Sequence, residues 1–177
     1  RLGFSSYADF QRRLRDEVEA QLQSPLAKAA APAGPGELAM HVAFAAAVAE
    51  NVAETFRHIP AAEFDAVAAL LADRRRPAHV IGGRFTDAIA SYMAAHLRIL
   101  RPGARHLDGQ PANWRDQLVD MGRRDVLVAF DIRRYQDDIV ALARAAAARQ
   151  ATVVLVTDQW LSPAARIASH VLPARIR

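Results

Sequence analysis

The sequence lacks several residue types, and each absence limits its chemistry. It contains no cysteine among its 177 residues, which excludes disulfide bonds and thiolate metal sites and is typical of a cytoplasmic protein. Lys28 is the only lysine and no glutamate follows Glu63, so the rest of the chain offers neither a Schiff-base lysine nor a glutamate general base. No apolar run approaches the roughly 18 residues of a membrane-spanning helix, which predicts no membrane partner. The histidines do not show paired ligand spacing, and we predict no metal site and no cofactor.

The positive charge of the chain comes almost entirely from arginine. The formal net charge is +4, and the arginines are spread along a sequence that is very rich in alanine. We interpret this composition as the codon preference of a GC-rich genome. The alternative is contact with nucleic acid, which usually requires arginines clustered on one surface.

The first part of the sequence predicts helices joined by a linker. Residues 7–22 have apolar side chains at three- and four-residue steps, the pattern of an amphipathic helix. Proline and glycine then interrupt helical order, and we predict a linker over residues 25–36. A long helix with a broad apolar stripe is predicted at residues 37–58, packed either on its own sheet or on a partner chain. A further helix starts at Pro60, and its inward-facing residues are predicted to be Phe64, Val67, Leu70 and Leu71.

From residue 77 onward, short apolar segments alternate with helical patterns. Strands are predicted at residues 79–81, 105–107, 126–130, 153–156 and 170–172, and helices at 87–100, 114–120, 136–149 and 162–168. Such alternation is typical of a parallel sheet with helices on both faces. The predicted fold class is therefore α/β, a three-layer α-β-α sandwich with a five-stranded parallel sheet, preceded by N-terminal helices.

Two glycines follow the first predicted strand. Gly82 and Gly83 allow close approach of a ligand to the backbone, and the N–H groups of such a loop before a helix bind anions. Arg84 adds a guanidinium suited to an anion, and Thr86 adds a hydroxyl. The alternative is an ordinary turn in which Thr86 caps the helix. A dinucleotide or Walker A motif is excluded, because the third glycine and the Gly-Lys-Ser/Thr ending are missing.

An acid, two arginines and a tyrosine follow the third predicted strand. One of the arginines, Arg133 or Arg134, is predicted to neutralise an anion while Asp131 accepts a sugar hydroxyl or positions that arginine. Tyr135 completes this second loop and is also predicted to bind the ligand. The alternative is a surface Asp–Arg pair that contributes little energy.

The loop after the fourth predicted strand combines hydroxyls with a carboxylate. Thr157 and Asp158 are predicted to bond ligand hydroxyls, and Trp160 to contact a sugar face or another subunit. Ser162 precedes Pro163 and is predicted to cap the next helix, which is compatible with its predicted role in binding the ligand. Because the carboxyl ends of parallel strands meet at one edge, the three loops together predict a pocket for a small phosphorylated or otherwise anionic ligand.

Four segments of the sequence resemble the SIS (sugar isomerase) domain, and in particular that of RpiR-type bacterial transcriptional regulators. They are Val80-Ile-Gly-Gly-Arg-Phe-Thr86, Tyr92-Met-Ala-Ala-His-Leu97 with Arg101-Pro-Gly103, Asp125-Val-Leu-Val-Ala-Phe-Asp-Ile-Arg-Arg-Tyr-Gln136, and Val156-Thr-Asp-Gln-Trp-Leu-Ser-Pro163. The resemblance spans about residues 77 to 173. It implies an SIS-like, flavodoxin-type sheet and a ligand-binding domain over residues 37–177.

The start of the chain is similar to the end of the helix-turn-helix domain that precedes the SIS domain in these regulators. The resemblance implies that residues 1–24 are the C-terminal remnant of a DNA-binding domain and that DNA is a partner through the missing part. The first residue is Arg1 and not methionine, so we expect the N-terminus to be the cut end of a longer protein. A homodimer or tetramer is the oligomeric state that the resemblance implies.

The second loop departs from the family pattern. SIS domains carry a Ser-x-Ser-Gly-x-Thr pattern there, whose hydroxyls hold a phosphate, and this chain has Asp131, Arg133, Arg134 and Gln136 at the corresponding positions. Either an arginine replaces the hydroxyls as the anion partner, or the ligand differs, or these side chains partly close the pocket.

Three functions are compatible with these observations. The leading hypothesis is an effector-sensing and dimerisation domain of a transcriptional regulator, without catalytic residues, for a phosphosugar or related anionic carbohydrate. The second is a phosphosugar isomerase or lyase, for which Asp131, Asp158 and His106 are the remaining acid–base candidates. The third is a dimerisation module whose pocket is blocked by arginines.

Overall fold

The computed structural model describes residues 6–22 and 40–176. The helices are α1 (Tyr7–Leu22), α2 (Met40–His58), α3 (Ala61–Ala72), α4 (Asp87–Leu100), α5 (Pro111–Gln117) and α6 (Asp137–Ala148), with a 3₁₀ helix at Pro163–Arg166. The strands are β1 (Ala78–Gly82), β2 (Ala104–His106), β3 (Val126–Asp131), β4 (Thr152–Asp158) and β5 (His170–Ala174). Among the described helices, none has both the length and the apolar character required to cross a bilayer. The predicted linker at 25–36 lies outside the described residues.

The five strands form one parallel sheet in the order β2-β1-β3-β4-β5. The predicted α/β sandwich with a five-stranded parallel sheet is confirmed, and each strand overlaps its predicted position. The strand order reverses at β1, so that the chain continues from β1 to one side of the sheet and from β3 to the other. In sheets of this kind, a crevice opens beyond the carboxyl ends of the two adjacent strands. The register places Gly82 opposite Phe130 and Asp131 opposite Thr157. The ends of β1, β3 and β4 therefore lie at one edge.

Each face of the sheet is covered by its own layer of helices. Along β3, the side chains alternate, with Val128 facing one hydrophobic cluster and Leu127 the other. The first cluster includes Val67 from α3 and Ala94 from α4, and the second includes Ile139 from α6. Small alanines on the inner helix faces allow the helices to lie close to the sheet, which produces a core made largely of Val, Ile, Leu and Ala.

Two predicted helices differ from their observed form. The helix predicted at 114–120 begins earlier, at Pro111, because proline is well suited to a first helical turn. The segment predicted as a helix at 162–168 is only a 3₁₀ turn, and its N-cap Ser162 accepts a hydrogen bond from the Ala164 N–H as expected. Phe64 was predicted to face inward, but its side chain is 44% exposed and meets the edge of Phe56 with ring centroids 6.0 Å apart. The other inward predictions in α3 hold, with Val67 buried and Leu70 and Leu71 against the core.

The described chain divides into two compact units. One contains α1 and the first part of α2 up to Ala49, and the other is Glu50–Ile176. The part of α2 that lies in the second unit exposes Val52 and Phe56, so the sheet does not cover the apolar stripe there. The Thr55 hydroxyl, within the second unit, accepts a hydrogen bond from the Arg175 N–H at 2.9 Å.

A candidate ligand cleft at the carboxyl edge of the sheet

The three loops predicted from the sequence adjoin one another at the carboxyl edge. The Thr86 hydroxyl after β1 donates to the carbonyl oxygen of Phe130 on β3 at 2.8 Å. The Arg133 N–H after β3 donates to the carboxylate of Asp158 after β4 at 2.6 Å. Hydrogen bonds therefore link the first loop to the end of β3 and the second loop to the third loop.

The glycine loop is folded tightly onto the start of α4. A Cβ on Gly82 would overlap the backbone carbonyl of Thr86 and lie 2.5 Å from the Asp87 nitrogen, so only glycine fits. The Gly83 N–H donates to the Thr86 hydroxyl at 2.8 Å, and the Arg84 N–H donates weakly to Gln136 Oε1 at 3.3 Å. Thr86 occupies the N-cap position of α4 but its side chain makes no capping bond. The Gly83 N–H, the Arg84 N–H and the Thr86 hydroxyl are thus already bonded within the protein, whereas the Arg84 side chain is exposed.

Asp131 lies at the end of β3 and is almost completely buried. Its carboxylate accepts hydrogen bonds from the Ser162 hydroxyl and, at 3.2 Å, from the Gln136 N–H. Burial raises the pKa of the Asp131 carboxyl, and these hydrogen bonds oppose that rise only in part. The side chain therefore joins the second and third loops from inside the protein.

Asp158 is the centre of a second buried network. Its carboxylate is fully buried and accepts hydrogen bonds from the Arg133 N–H, the Tyr135 hydroxyl at 2.5 Å and the Trp160 N–H at 3.0 Å. Desolvation, with the neighbouring Asp158 carboxylate, raises the pKa of Tyr135, so the phenol stays protonated and remains a donor. The adjacent Thr157 hydroxyl accepts a hydrogen bond from the Ser162 N–H.

The two arginines of the second loop lie apart from the glycine loop. Arg133 has a positive φ of 63°, which turns its backbone N–H toward Asp158. Its guanidinium lies 5.5 Å from the centre of the Trp160 ring and donates to the Ile176 carbonyl oxygen. The Arg134 side chain is exposed. Of the three predicted anion-binding arginines, Arg84 alone lines the cleft described next.

A cleft of about 620 Å³ opens between the glycine loop, α5 and α6. It is lined by Gly82, Gly83, Arg84, Asp87, Gly109, Pro111, Trp114, Gln136, Asp137 and Asp138. Three of the eleven predicted ligand-binding residues, Gly82, Gly83 and Arg84, are in its wall. Five of the others are buried and lie outside the wall: Thr86, Asp131, Thr157, Asp158 and Ser162. Arg133, Arg134 and Tyr135 are exposed or partly exposed and do not line the cleft either.

Sequence reasoning missed most of the cleft wall. Gly109, Pro111 and Trp114 follow β2, the strand with the weakest sequence pattern, so that loop was not considered as part of the site. Because β2 neighbours β1 in this strand order, its carboxyl end also reaches the switch point. Asp137 and Asp138 in the first turn of α6 were the available signal on the other side.

A histidine–carboxylate pair lies beside the cleft. His106 Nε2 at the end of β2 is 2.8 Å from Asp87 Oδ1 at the start of α4. The His106 side chain is largely buried, whereas that of Asp87 is about half exposed and reaches the cleft. The pair connects the first turn of α4 to the edge strand. Within the described ranges, no cluster of three His, Cys, Asp or Glu residues could hold a metal ion.

Several solved structures share this fold. The sugar isomerase domain of an RpiR transcription factor from Sphaerobacter thermophilus is 28% identical, with a TM-score of 0.67 over 80% of this chain and 78% of that chain. The Vibrio vulnificus NanR protein complexed with ManNAc-6P is 16% identical, with a TM-score of 0.66 over 98% of this chain and 59% of that chain. The E. coli CFT073 protein c3406 is 13% identical, with a TM-score of 0.60 over 80% of this chain and 77% of that chain. At such low identity, the last two show similarity of fold alone.

The comparison by sequence family gives the assignment. No curated protein matches the chain. The model of the SIS domain matches residues 70–177, which include all five strands and the whole of the cleft wall. The chain therefore belongs to the SIS domain family.

Proposed function

We propose that this chain is the effector-binding domain of a bacterial transcriptional regulator of the RpiR type, acts in the cytoplasm and binds a carbohydrate derivative without converting it. The observation that carries the proposal is the 28% identity to the sugar isomerase domain of an RpiR transcription factor over most of both chains. A cleft at the switch point of the sheet supplies the binding site. Residues 1–24 belong, in this proposal, to the helix-turn-helix domain that contacts DNA.

The proposed mechanism is a shift between two arrangements of subunits. A carbohydrate in the cleft contacts the glycine loop on one side and α5 and α6 on the other. If these contacts are better in one subunit arrangement, binding increases the population of that arrangement by the difference in affinity. The attached DNA-binding domains then change their spacing.

The function is tested by adding a panel of free sugars, amino sugars, sugar acids and sugar phosphates to the protein. We expect at least one compound at 100 times its Kd to raise the melting temperature by about 5 °C, because a ligand that binds only the folded state stabilises it. The same samples are examined by NMR for aldose–ketose conversion, and we expect none. A panel without any stabilising compound would remove the sensing function and favour a module with a closed pocket.

A phosphosugar isomerase or lyase is the second candidate. The observation that favours it is the pair formed by His106 and Asp87, since an imidazole held by a carboxylate can move protons between adjacent carbons. If the NMR samples show conversion of a sugar phosphate, and the His106→Gln variant does not convert it, the protein is an enzyme and not a sensor.

We also propose that two copies of the chain associate through α4. Phe85 and four residues of α4 expose large apolar side chains along one stripe: Phe85, Ile89, Tyr92, Ile99 and Leu100. Asp87 and Arg98 of the same helix face β2 instead, where they contact His106 and the Ala104 carbonyl oxygen, so the stripe itself is apolar. An exposed apolar surface of this kind is typical of the centre of a subunit interface.

Replacing Ile99 by aspartate tests this interface. The Ile99 side chain is 81% exposed, so the substitution costs the single chain little, while in a dimer it buries a charge. We expect light scattering to change from a dimer to a monomer of 19.3 kDa. Val119→Asp is the matched control, because Val119 is also exposed but lies after α5, and it should leave the dimer intact. An unchanged mass for Ile99→Asp would exclude α4 as the interface.

A further inference from the structure

The charges in the cleft wall are unusual for a site that receives an anion. Arg84 is its one guanidinium, whereas Asp87, Asp137 and Asp138 contribute three carboxylates. Asp137 and Asp138 are exposed in the first turn of α6. A phosphate entering between the glycine loop and α6 would meet three negative groups for one positive group, which is unfavourable for a dianion.

Two backbone donors of the glycine loop do not offset this charge. The Gly83 N–H is bonded to the Thr86 hydroxyl, which donates in turn to the Phe130 carbonyl oxygen, and the Arg84 N–H donates to Gln136 Oε1. The Gln136 side chain lies over the loop, so that a Cβ on Gly83 would be 2.9 Å from Gln136 Oε1. A ligand at this part of the loop therefore meets the Gln136 amide in place of the Gly83 and Arg84 N–H groups.

Trp114 gives an independent indication that a ligand belongs in this cleft. The side chain is only 7% exposed and forms part of the cleft wall. Its indole N–H is buried and has no hydrogen-bond partner among the residues that the structure describes, which is uncommon for a buried donor. The aromatic ring in the cleft wall suits the apolar face of a sugar ring.

Two other guanidinium groups line an adjoining cavity. Arg115 and Arg149 lie with Trp114 and Asp138 around a smaller cavity of about 250 Å³ between α5 and α6. Neither arginine lines the cleft at the glycine loop. The adjoining cavity therefore contains two guanidinium groups, whereas the cleft at Gly83 contains three carboxylates and one guanidinium group.

We infer that the ligand group that reaches the glycine loop is a protonated amine, and that the effector is an amino sugar without a phosphate at this end. The inference rests on the proposed sensing function and gives the ligand class. The amine donates to the carboxylates of Asp137 and Asp138 and to the Gln136 amide oxygen, while the ring lies against Trp114. Charged hydrogen bonds of this kind are stronger than those between neutral groups.

The test compares amines and phosphates of the same three hexoses. Glucosamine, galactosamine and mannosamine are titrated calorimetrically into the protein, beside glucose, galactose and mannose 6-phosphates. We expect at least one amine to bind about tenfold more tightly than the corresponding phosphate. The double variant D137N/D138N should bind the amine about tenfold more weakly than the unmodified protein does, and should bind the phosphate more tightly. The double variant D116N/D120N removes the same charge from exposed positions outside the cleft and should change neither.

The outcomes separate this inference from the function on which it rests. The amino-sugar inference is overturned, while the sensing function stands, if the unmodified protein binds the phosphates more tightly than the amines. The same holds if D137N/D138N binds the phosphates more weakly than the unmodified protein does. If none of the six compounds binds to the protein or to either variant, the amino sugar is overturned. The broader panel of sugars then decides whether the sensing function falls as well.

Discussion

Gly82→Ala is expected to lower the free energy of unfolding by about 3 kcal/mol, because the new methyl group collides with backbone that cannot move away. The Cβ would overlap the Thr86 carbonyl and approach the Asp87 nitrogen to 2.5 Å. These atoms belong to the first turn of α4, which is held to the sheet by buried Ala90 and Ala94. The loss is measured by urea denaturation at neutral pH.

A second glycine provides the control for this substitution. A Cβ on Gly122 would have no heavy atom within 4 Å, so Gly122→Ala should leave the free energy of unfolding nearly unchanged. Both variants change glycine to alanine and reduce the freedom of the unfolded chain in the same way. Equal stability of the two variants would contradict the close approach of β1 to α4.

Asp158→Ala is the other substitution with a large expected effect, a loss of about 3 kcal/mol. It removes the acceptor of three hydrogen bonds, from the Arg133 N–H, the Tyr135 hydroxyl and the Trp160 N–H. Because the Asp158 side chain is fully buried, the three donors that lose their acceptor cannot all bond to water instead. Buried donors without partners lower the free energy of unfolding. Urea denaturation measures the loss.

Tyr135→Phe tests one hydrogen bond of the Asp158 network without shortening the Asp158 side chain. It deletes one of the three hydrogen bonds and keeps the ring, so we expect a loss of only about 1 kcal/mol. Asp138→Ala, at an exposed carboxylate, should have little effect on stability. If Asp158→Ala cost no more than Asp138→Ala, the buried network would not contribute to stability.

The sheet could be predicted because its strands carry continuous apolar runs between polar loops. Such runs identify strands buried on both faces, and alternation with helices makes the strands parallel. The 3₁₀ turn at Pro163–Arg166 and the exposure of Phe64 could not be predicted in this way. Both depend on which neighbouring segment covers the residue, and local periodicity does not contain that information.

The candidate site was predicted less completely than the sheet. A carboxylate at a strand end can face a ligand or the protein's own N–H groups, and the sequence is the same in both cases. Asp131 and Asp158 face the protein, where Ser162, Gln136 and Arg133 satisfy them. The loop geometry that decides this includes the positive φ of Arg133, which is uncommon for a residue other than glycine.

Trp114 illustrates why the β2 side of the cleft was missed. In the sequence it is one apolar residue at the start of a predicted helix, and such residues usually belong to the core. The side chain is indeed buried with Leu118 and Ile139, but it also forms part of the cleft wall. A residue with both roles is recognised only when the neighbouring strands are in place.

The position of α4 has a consequence for how a signal would travel. Its first turn carries Asp87, which lines the cleft and is tied to His106, and the exposed stripe that we propose as the subunit contact extends to Leu100 on the same helix. The loops after β3 and β4, in contrast, are joined to each other by hydrogen bonds to buried carboxylates. If a ligand binds in the cleft and a second copy packs on the stripe, as we propose, α4 connects the two, and a small tilt of α4 at Asp87 would move the stripe without any rearrangement of the sheet.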